Sequence, residues 1–187
     1  MKEGEPAQTL GPEGSEVLRI ILDGTASETG EPFFRALVEN LCRALETQGA
    51  WVTEFLPERR VLRALAFRLG DEWVDAYEHP LEGTPCEVSI ESRRLVHYPD
   101  RILELFPHEA NLRRMNAVSY MGVPLLDLDG SVLGHLAVMD RKPMPARAES
   151  LAHRYRVEIS GVQHSQIARR CMPELLTAPD AQFNWLA

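Results

Sequence analysis

The sequence predicts a mixed α/β domain of the α+β kind, an antiparallel sheet covered by helices. Three observations carry that reading. An apolar stripe of helical width runs from about Pro32 to Gln48, with Phe34, Leu37, Val38, Leu41 and Leu45 recurring at steps of three and four. Two β-rich runs, Trp51–Leu56 and Val61–Arg68, flank the turn segment Pro57-Glu58-Arg59-Arg60. A second hairpin surrounds Asp129-Gly130, where glycine accepts positive φ without Cβ strain.

The elements follow in order. Residues 1–14, with Glu3, Glu5 and Glu13 among Gly4, Pro6, Gly11, Pro12 and Gly14, read as a self-solvating acidic arm. Ser15 can cap a short helix through Leu22 that places Leu18, Ile21 and Leu22 on one face. Such a helix is too short to stand alone and must dock, on the domain or on a second copy. In the first long helix, Pro32 suits the opening turn, Glu31 complements the exposed amides and Gly49 is the expected terminator. Val61, Leu65 and Phe67 alternate, broken only by Arg63, which predicts one buried face on the second strand.

A weaker extended piece covers Trp73 to His79. Thr84-Pro85-Cys86-Glu87 has the form of a capped helix start, with Glu87 at the capping-box position. A short strand around Arg94–Tyr98 and brief helical turns over Ile102–Phe106 and Glu109–Met115 come next. Tyr120–Leu126 and Val132–Met139 form the closing hairpin. Pro124 lacks an N–H, so its strand needs an open side or a bulge there. The return strand is apolar on both faces and therefore central. Leu151, Tyr155, Ile159 and Val162 predict a final helix, stopped by Pro173; residues 174–187 carry apolar side chains without clear periodicity, and 166–187 form a C-terminal extension. The expected organisation is thus arm, domain over 15–165, and extension.

Composition limits the function classes. The 187 residues are 44% apolar and 26% charged, which is globular, and 20 basic against 28 acidic residues give a net charge of −8. That balance argues against a long nucleic-acid footprint while leaving room for a small ligand. Cys42, Cys86 and Cys171 are widely spaced and odd in number, which favours a reducing compartment, and the cytoplasm is the expected location. The sequence has no apolar run of membrane-spanning length and no secretory leader. No Gly-rich phosphate loop, H-E-x-x-H or G-x-S-x-G occurs.

Several ordered stretches together resemble the GAF domain family, in its bacterial sensor branch of phytochrome-like and two-component proteins. They are Glu31-Pro32-Phe33-Phe34-Arg35-Ala36-Leu37, Leu81-Glu82-Gly83-Thr84-Pro85-Cys86, Tyr98-Pro99-Asp100 and Leu105-Phe106-Pro107. Ser119-Tyr120-Met121-Gly122-Val123-Pro124-Leu125 and Gly134-His135-Leu136-Ala137-Val138-Met139-Asp140 complete the pattern, which spans roughly residues 28–145. The resemblance implies a five- or six-stranded antiparallel sheet with helices on both sides and a pocket roofed by the segments between strands. It implies a noncatalytic sensory domain for a small organic ligand, such as a tetrapyrrole or a cyclic nucleotide. It also implies signalling, with the chain either a standalone module or a part of a longer sensor whose output domain lies beyond it. The short stripes of the helix at Leu18, Ile21 and Leu22 and of the closing helix point to a homodimer formed through them.

Cys86 is the sharpest candidate residue. Near the start of a capped helix its thiolate would feel free amides that lower a thiol pKa, which would suit a redox-sensing or ligand-attaching cysteine. The alternative is a small buried side chain that completes the helix. His97 and His135, with His108, would converge on Cys86 if the roof folds over the sheet, but the spacings match no compact metal motif and no metal is expected. His135 shares an expected face with Leu133, Ala137 and Met139, as a core histidine or as a polar pocket floor. Tyr98, Phe106, Met115, Tyr120 and Met121 are the expected apolar lining, against ordinary core packing. Two other functions stay open: a thiol-dependent enzyme such as a free methionine sulfoxide reductase centred on Cys86, and a ligand-free dimerisation scaffold. A cavity below about 100 Å³ would favour the scaffold, being well under the usual ligand range.

Overall fold

A computed structural model describes residues 31–127 and 129–145. The expected helices at 15–22 and from Leu151 onward, and Cys171, lie outside the described residues. Helix α1 (Glu31–Leu45) buries Phe33, Phe34, Leu37, Val38 and Leu41. It stops earlier than its stripe suggested, because Glu46 takes a left-handed φ of 52° and the Thr47 N–H bonds back to the Cys42 carbonyl at 3.0 Å. Gly49, the expected terminator, instead opens β1 (Gly49–Leu56), where a Cβ would press on the Met139 sulfur at 3.1 Å.

A 3₁₀ turn over Pro57–Arg59 leads into β2 (Val61–Leu69), antiparallel to β1. The ladder slips between Val52 and Thr53, which pair with Ala66 and Ala64, so Leu65 is the extra residue of a bulge. The bulge reverses the parity of the strand. Leu65 packs on the α1 side while Leu62 and Phe67 pack on the other, so the expected single face of Val61, Leu65 and Phe67 does not exist. Arg63, which broke the alternation, pairs across the ladder with buried Glu54 at 2.5 Å.

Two short strands, β3 (Glu72–Trp73) and β4 (Glu78–Pro80), share the outer edge of β2. Helix α2 (Pro85–Ser92) follows, then β5 (Val96–Tyr98), α3 (Ile102–Leu105) and α4 (Ala110–Arg114). The hairpin β6 (Ser119–Leu126) and β7 (Val132–Asp140) closes the sheet, with Gly130 at φ 83° in the connection. The seven strands of the described residues fill six positions, ordered β3-β2-β1-β7-β6-β5, with β4 beside β3 on β2. As its composition required, β7 is central, between β1 and β6. Among the described residues β5 pairs only with Tyr120, Met121 and Gly122, so Pro124 lies beyond its reach and its missing N–H faces a side with no described strand partner.

The sheet separates two cores. One joins α1 to Val52, Leu65, Val123 and Leu136. The other lies between the opposite face and the roof formed by α2, α3 and α4, and includes Trp51, Leu62, Ile90, Ile102, Tyr120 and Met139.

Candidate functional site

The roofed face holds the candidate site. Its floor follows from the register: Tyr120, Gly122 and Pro124 pair with Met139, Ala137 and His135, and Trp51 and Thr53 lie opposite Ala137 and His135 on the other side. Gly122 and Ala137 leave a shallow trough along the sheet. The Tyr120 ring occupies it and stacks on His135 with centroids 6.4 Å apart at 10°. A Cβ on Gly122 would come within 2.5 Å of His135 Nε2 and closer still to Tyr120 Oη, so this glycine makes the arrangement possible.

Above the trough, α2 lowers Cys86 onto the phenol. The helix start forms as its sequence implied: Thr84 Oγ1 accepts the Glu87 N–H at 3.1 Å, while the Glu87 carboxylate accepts the Gly83 N–H at 2.8 Å. Tyr120 Oη–H donates to Cys86 Sγ at 3.2 Å, so the His135 Nε2–H donates to Tyr120 Oη at 3.1 Å. The network thereby assigns the Nε2–H tautomer, and His135 Nδ1, wholly buried, has no hydrogen-bond partner among the described residues.

Burial governs the titration of all three groups. It pushes the Cys86 thiol up to about 12, against the weaker lowering from the Tyr120 hydrogen bond. The expected low thiol pKa is therefore corrected: desolvation at 4% exposure outweighs the helix start, and the thiol stays protonated at neutral pH. Burial also raises the Tyr120 phenol well above its ordinary value and holds the His135 imidazole down at about 3.

The structure divides the expected residues. Cys86, Met115 and Tyr120 line the cavity, and His135 sits beneath it against Tyr120. Tyr98 and Phe106 pack edge-on at 5.3 Å beside Tyr120, within the same core but outside the lining. Met121 does not belong: adjacent to Tyr120 in a strand, it points to the α1 face and packs with Val123 and Leu136. His97 is the cross-strand partner of Met121 and shares that far face, and His108 is exposed, so neither meets Cys86. Leu133 likewise leaves the face of His135, because Leu125 pairs with Gly134 and Leu126 with Val132, which makes Leu133 a bulge residue. Among the described residues no group of three His, Cys, Asp or Glu side chains is placed to hold a metal.

The lining residues that the sequence did not point to include Tyr77, His79, Glu109 and Asn111. His79 on β4 accepts from Asn111 Nδ2 through Nδ1 at 3.0 Å, and its Nε2 lies 3.7 Å from Glu109 Oε1. Glu109 caps α4, accepting the N–H of Asn111 at 3.1 Å and that of Leu112. Tyr77 stacks on His79 at 5.8 Å and meets Phe67 edge-on at 5.0 Å. An acid before a short helix was the only available signal, since nothing in spacing links residue 79 to residue 111. The space these groups enclose is about 20 Å³, enough for one water. The expected ligand-sized hollow is filled by Trp51, Phe67, Tyr77, Met115 and Tyr120.

The sequence profile of the GAF domain matches residues 29–162. The chain belongs to the GAF domain family. Among solved structures, the GAF domain of an Acinetobacter phosphoenolpyruvate-protein phosphotransferase is similar at 20% identity and a TM-score of 0.67, covering 88% of this chain and 99% of that one. The corresponding GAF domain from Coxiella burnetii gives 17% identity and a TM-score of 0.70, over 86% of this chain and 96% of that one. The chromophore-binding domain of a Stigmatella aurantiaca bacteriophytochrome gives 13% and 0.63, over 81% of this chain and 60% of the other. At these identities the likeness establishes the GAF fold alone. A search of curated protein sequences found no match. Among the described residues no helix is long and apolar enough to cross a membrane.

Proposed function

We propose that this GAF domain is a noncatalytic regulatory module that rests closed, its pocket filled by its own side chains. One observation carries this: the space between floor and roof is about 20 Å³, whereas small-molecule pockets run to about 300–1,000 Å³. It lies below the size expected of even a minimal ligand site and favours the ligand-free reading over a resident tetrapyrrole or cyclic nucleotide. Regulation then acts through two packings of the domain, and anything that opens the roof must bind the open state more tightly. A two-component or phytochrome-like setting, a separate output domain, a homodimer and a cytoplasmic location fit this role as its context.

The thiol-enzyme reading loses its support. The Cys86 thiol is buried and protonated, and Cys42 lies on the α1 side, half-buried and pushed up to about 11 by burial. Native mass spectrometry of freshly purified protein, with an absorption spectrum of the same sample, tests the proposal. A mass equal to that of the polypeptide or its integer multiple, with no band beyond the aromatic region, is expected. A small molecule retained in stoichiometric amount refutes it.

A further inference from the structure

We infer that the ligand class matched to this cavity, once the roof parts, is a small organic cation of the alkylammonium type. The inference rests on the closed reading, because such a cation exceeds the present space and can enter only when the roof moves off the sheet, with the His79–Asn111 hydrogen bond kept. Four aromatic rings form a continuous wall: Trp51 to Phe67 at 5.2 Å, Phe67 to Tyr77 at 5.0 Å and Trp51 to Tyr120 at 6.0 Å. Ring faces attract cations through their quadrupole, most strongly where water is excluded. The carboxylate of Glu109, 8% exposed, lines the same cavity.

The balancing charges lie elsewhere. Among the described residues no lysine or arginine lines the space. His79 is neutral by geometry, because a nitrogen that accepts from the Asn111 amide carries no proton. The Asn111 carbonyl takes the Arg114 guanidinium, which fixes the amide with its NH₂ toward His79 and leaves the exposed arginine outside. The Arg114 charge reaches Tyr77 only from outside the lining, so an entering anion would meet the Glu109 carboxylate first, which disfavours the phosphate of a cyclic nucleotide and the propionates of a tetrapyrrole. An alkylammonium instead gains the ring faces and the carboxylate together, which offsets its loss of hydration.

Thermal unfolding of the full chain tests this, with tetramethylammonium chloride compared with sodium chloride at equal ionic strength. Tert-butanol serves as the neutral isostere and cyclic AMP as the anion. The expected result is a rise in unfolding midpoint with tetramethylammonium alone. Its apparent affinity should fall about tenfold or more in Glu109→Gln, which can keep one of the two cap hydrogen bonds through its amide oxygen, and should also fall in Tyr77→Leu. A rise produced equally by tert-butanol, a rise undiminished in both variants, or no rise specific to the cation overturns the inference. A retained molecule in the native mass spectrum would instead overturn the closed reading, so the two failures are distinct.

Discussion

Lowering the pH should unfold this domain through a histidine that cannot accept a proton while it stays folded. His135 is wholly buried, and burial lowers its pKa from the ordinary 6.5 to about 3. The unfolded chain takes up that proton below pH 6.5 and the folded chain does not. The stabilising contribution is thus complete above 6.5 and is lost as pH falls toward 3, at about 1.4 kcal/mol per pH unit. Between about pH 8 and about pH 5 the loss is about 2 kcal/mol. For a domain of this size that is a fall in Tm of about 4–8 °C. The assay is thermal or urea unfolding across that range at constant ionic strength, for the natural chain and for His135→Gln. Glutamine can still donate to Tyr120 Oη but does not titrate. Burial lowers His79 as well, with Glu109 opposing, so the variant should keep a smaller loss of the same sign. Identical pH profiles for the two proteins would refute the reasoning, because His135 would then titrate alike folded and unfolded.

Other outcomes follow from the same packing. Gly122→Ala should destabilise the domain by about 1–3 kcal/mol in urea unfolding, since the new methyl collides with the buried Tyr120 phenol and His135 imidazole. A variant as stable as the natural chain would show that the trough has slack. Cys86 should resist alkylation in native buffer at neutral pH and react only at the rate of unfolding, read by mass spectrometry of peptides against urea concentration. Fast native labelling would place the thiol in a different environment.

The sequence disclosed elements more readily than faces. The stripe of α1 and the capped start of α2 are local, written in side chains three and four residues apart, and the structure keeps both. The central position of β7 and the open side at Pro124 also followed from single-strand composition. Faces failed where bulges intervene: the extra residues Leu65 and Leu133 each reverse a strand's parity; Leu65 has no glycine or proline beside it, whereas Leu133 adjoins Gly134 and lies across from the stretch after Pro124, a signal that did not say which residue would be extra. Met121 is a different case. Its neighbour Tyr120 was assigned to the same lining, although strand alternation forbids adjacent residues from sharing a face. The His79, Glu109 and Asn111 group depends on a roof folding over a sheet edge, a long-range contact with no local signature. Cavity size was the least legible property, because it is a small difference between the volumes of many side chains.

The closed pocket is most directly examined by the electron density of a crystal grown from untreated protein, in the space bounded by Trp51, Phe67, Cys86 and Tyr120. The account predicts continuous side-chain packing there with room for a single water. Density for an organic molecule held between those residues, with the Tyr120 ring displaced from its trough, would contradict it.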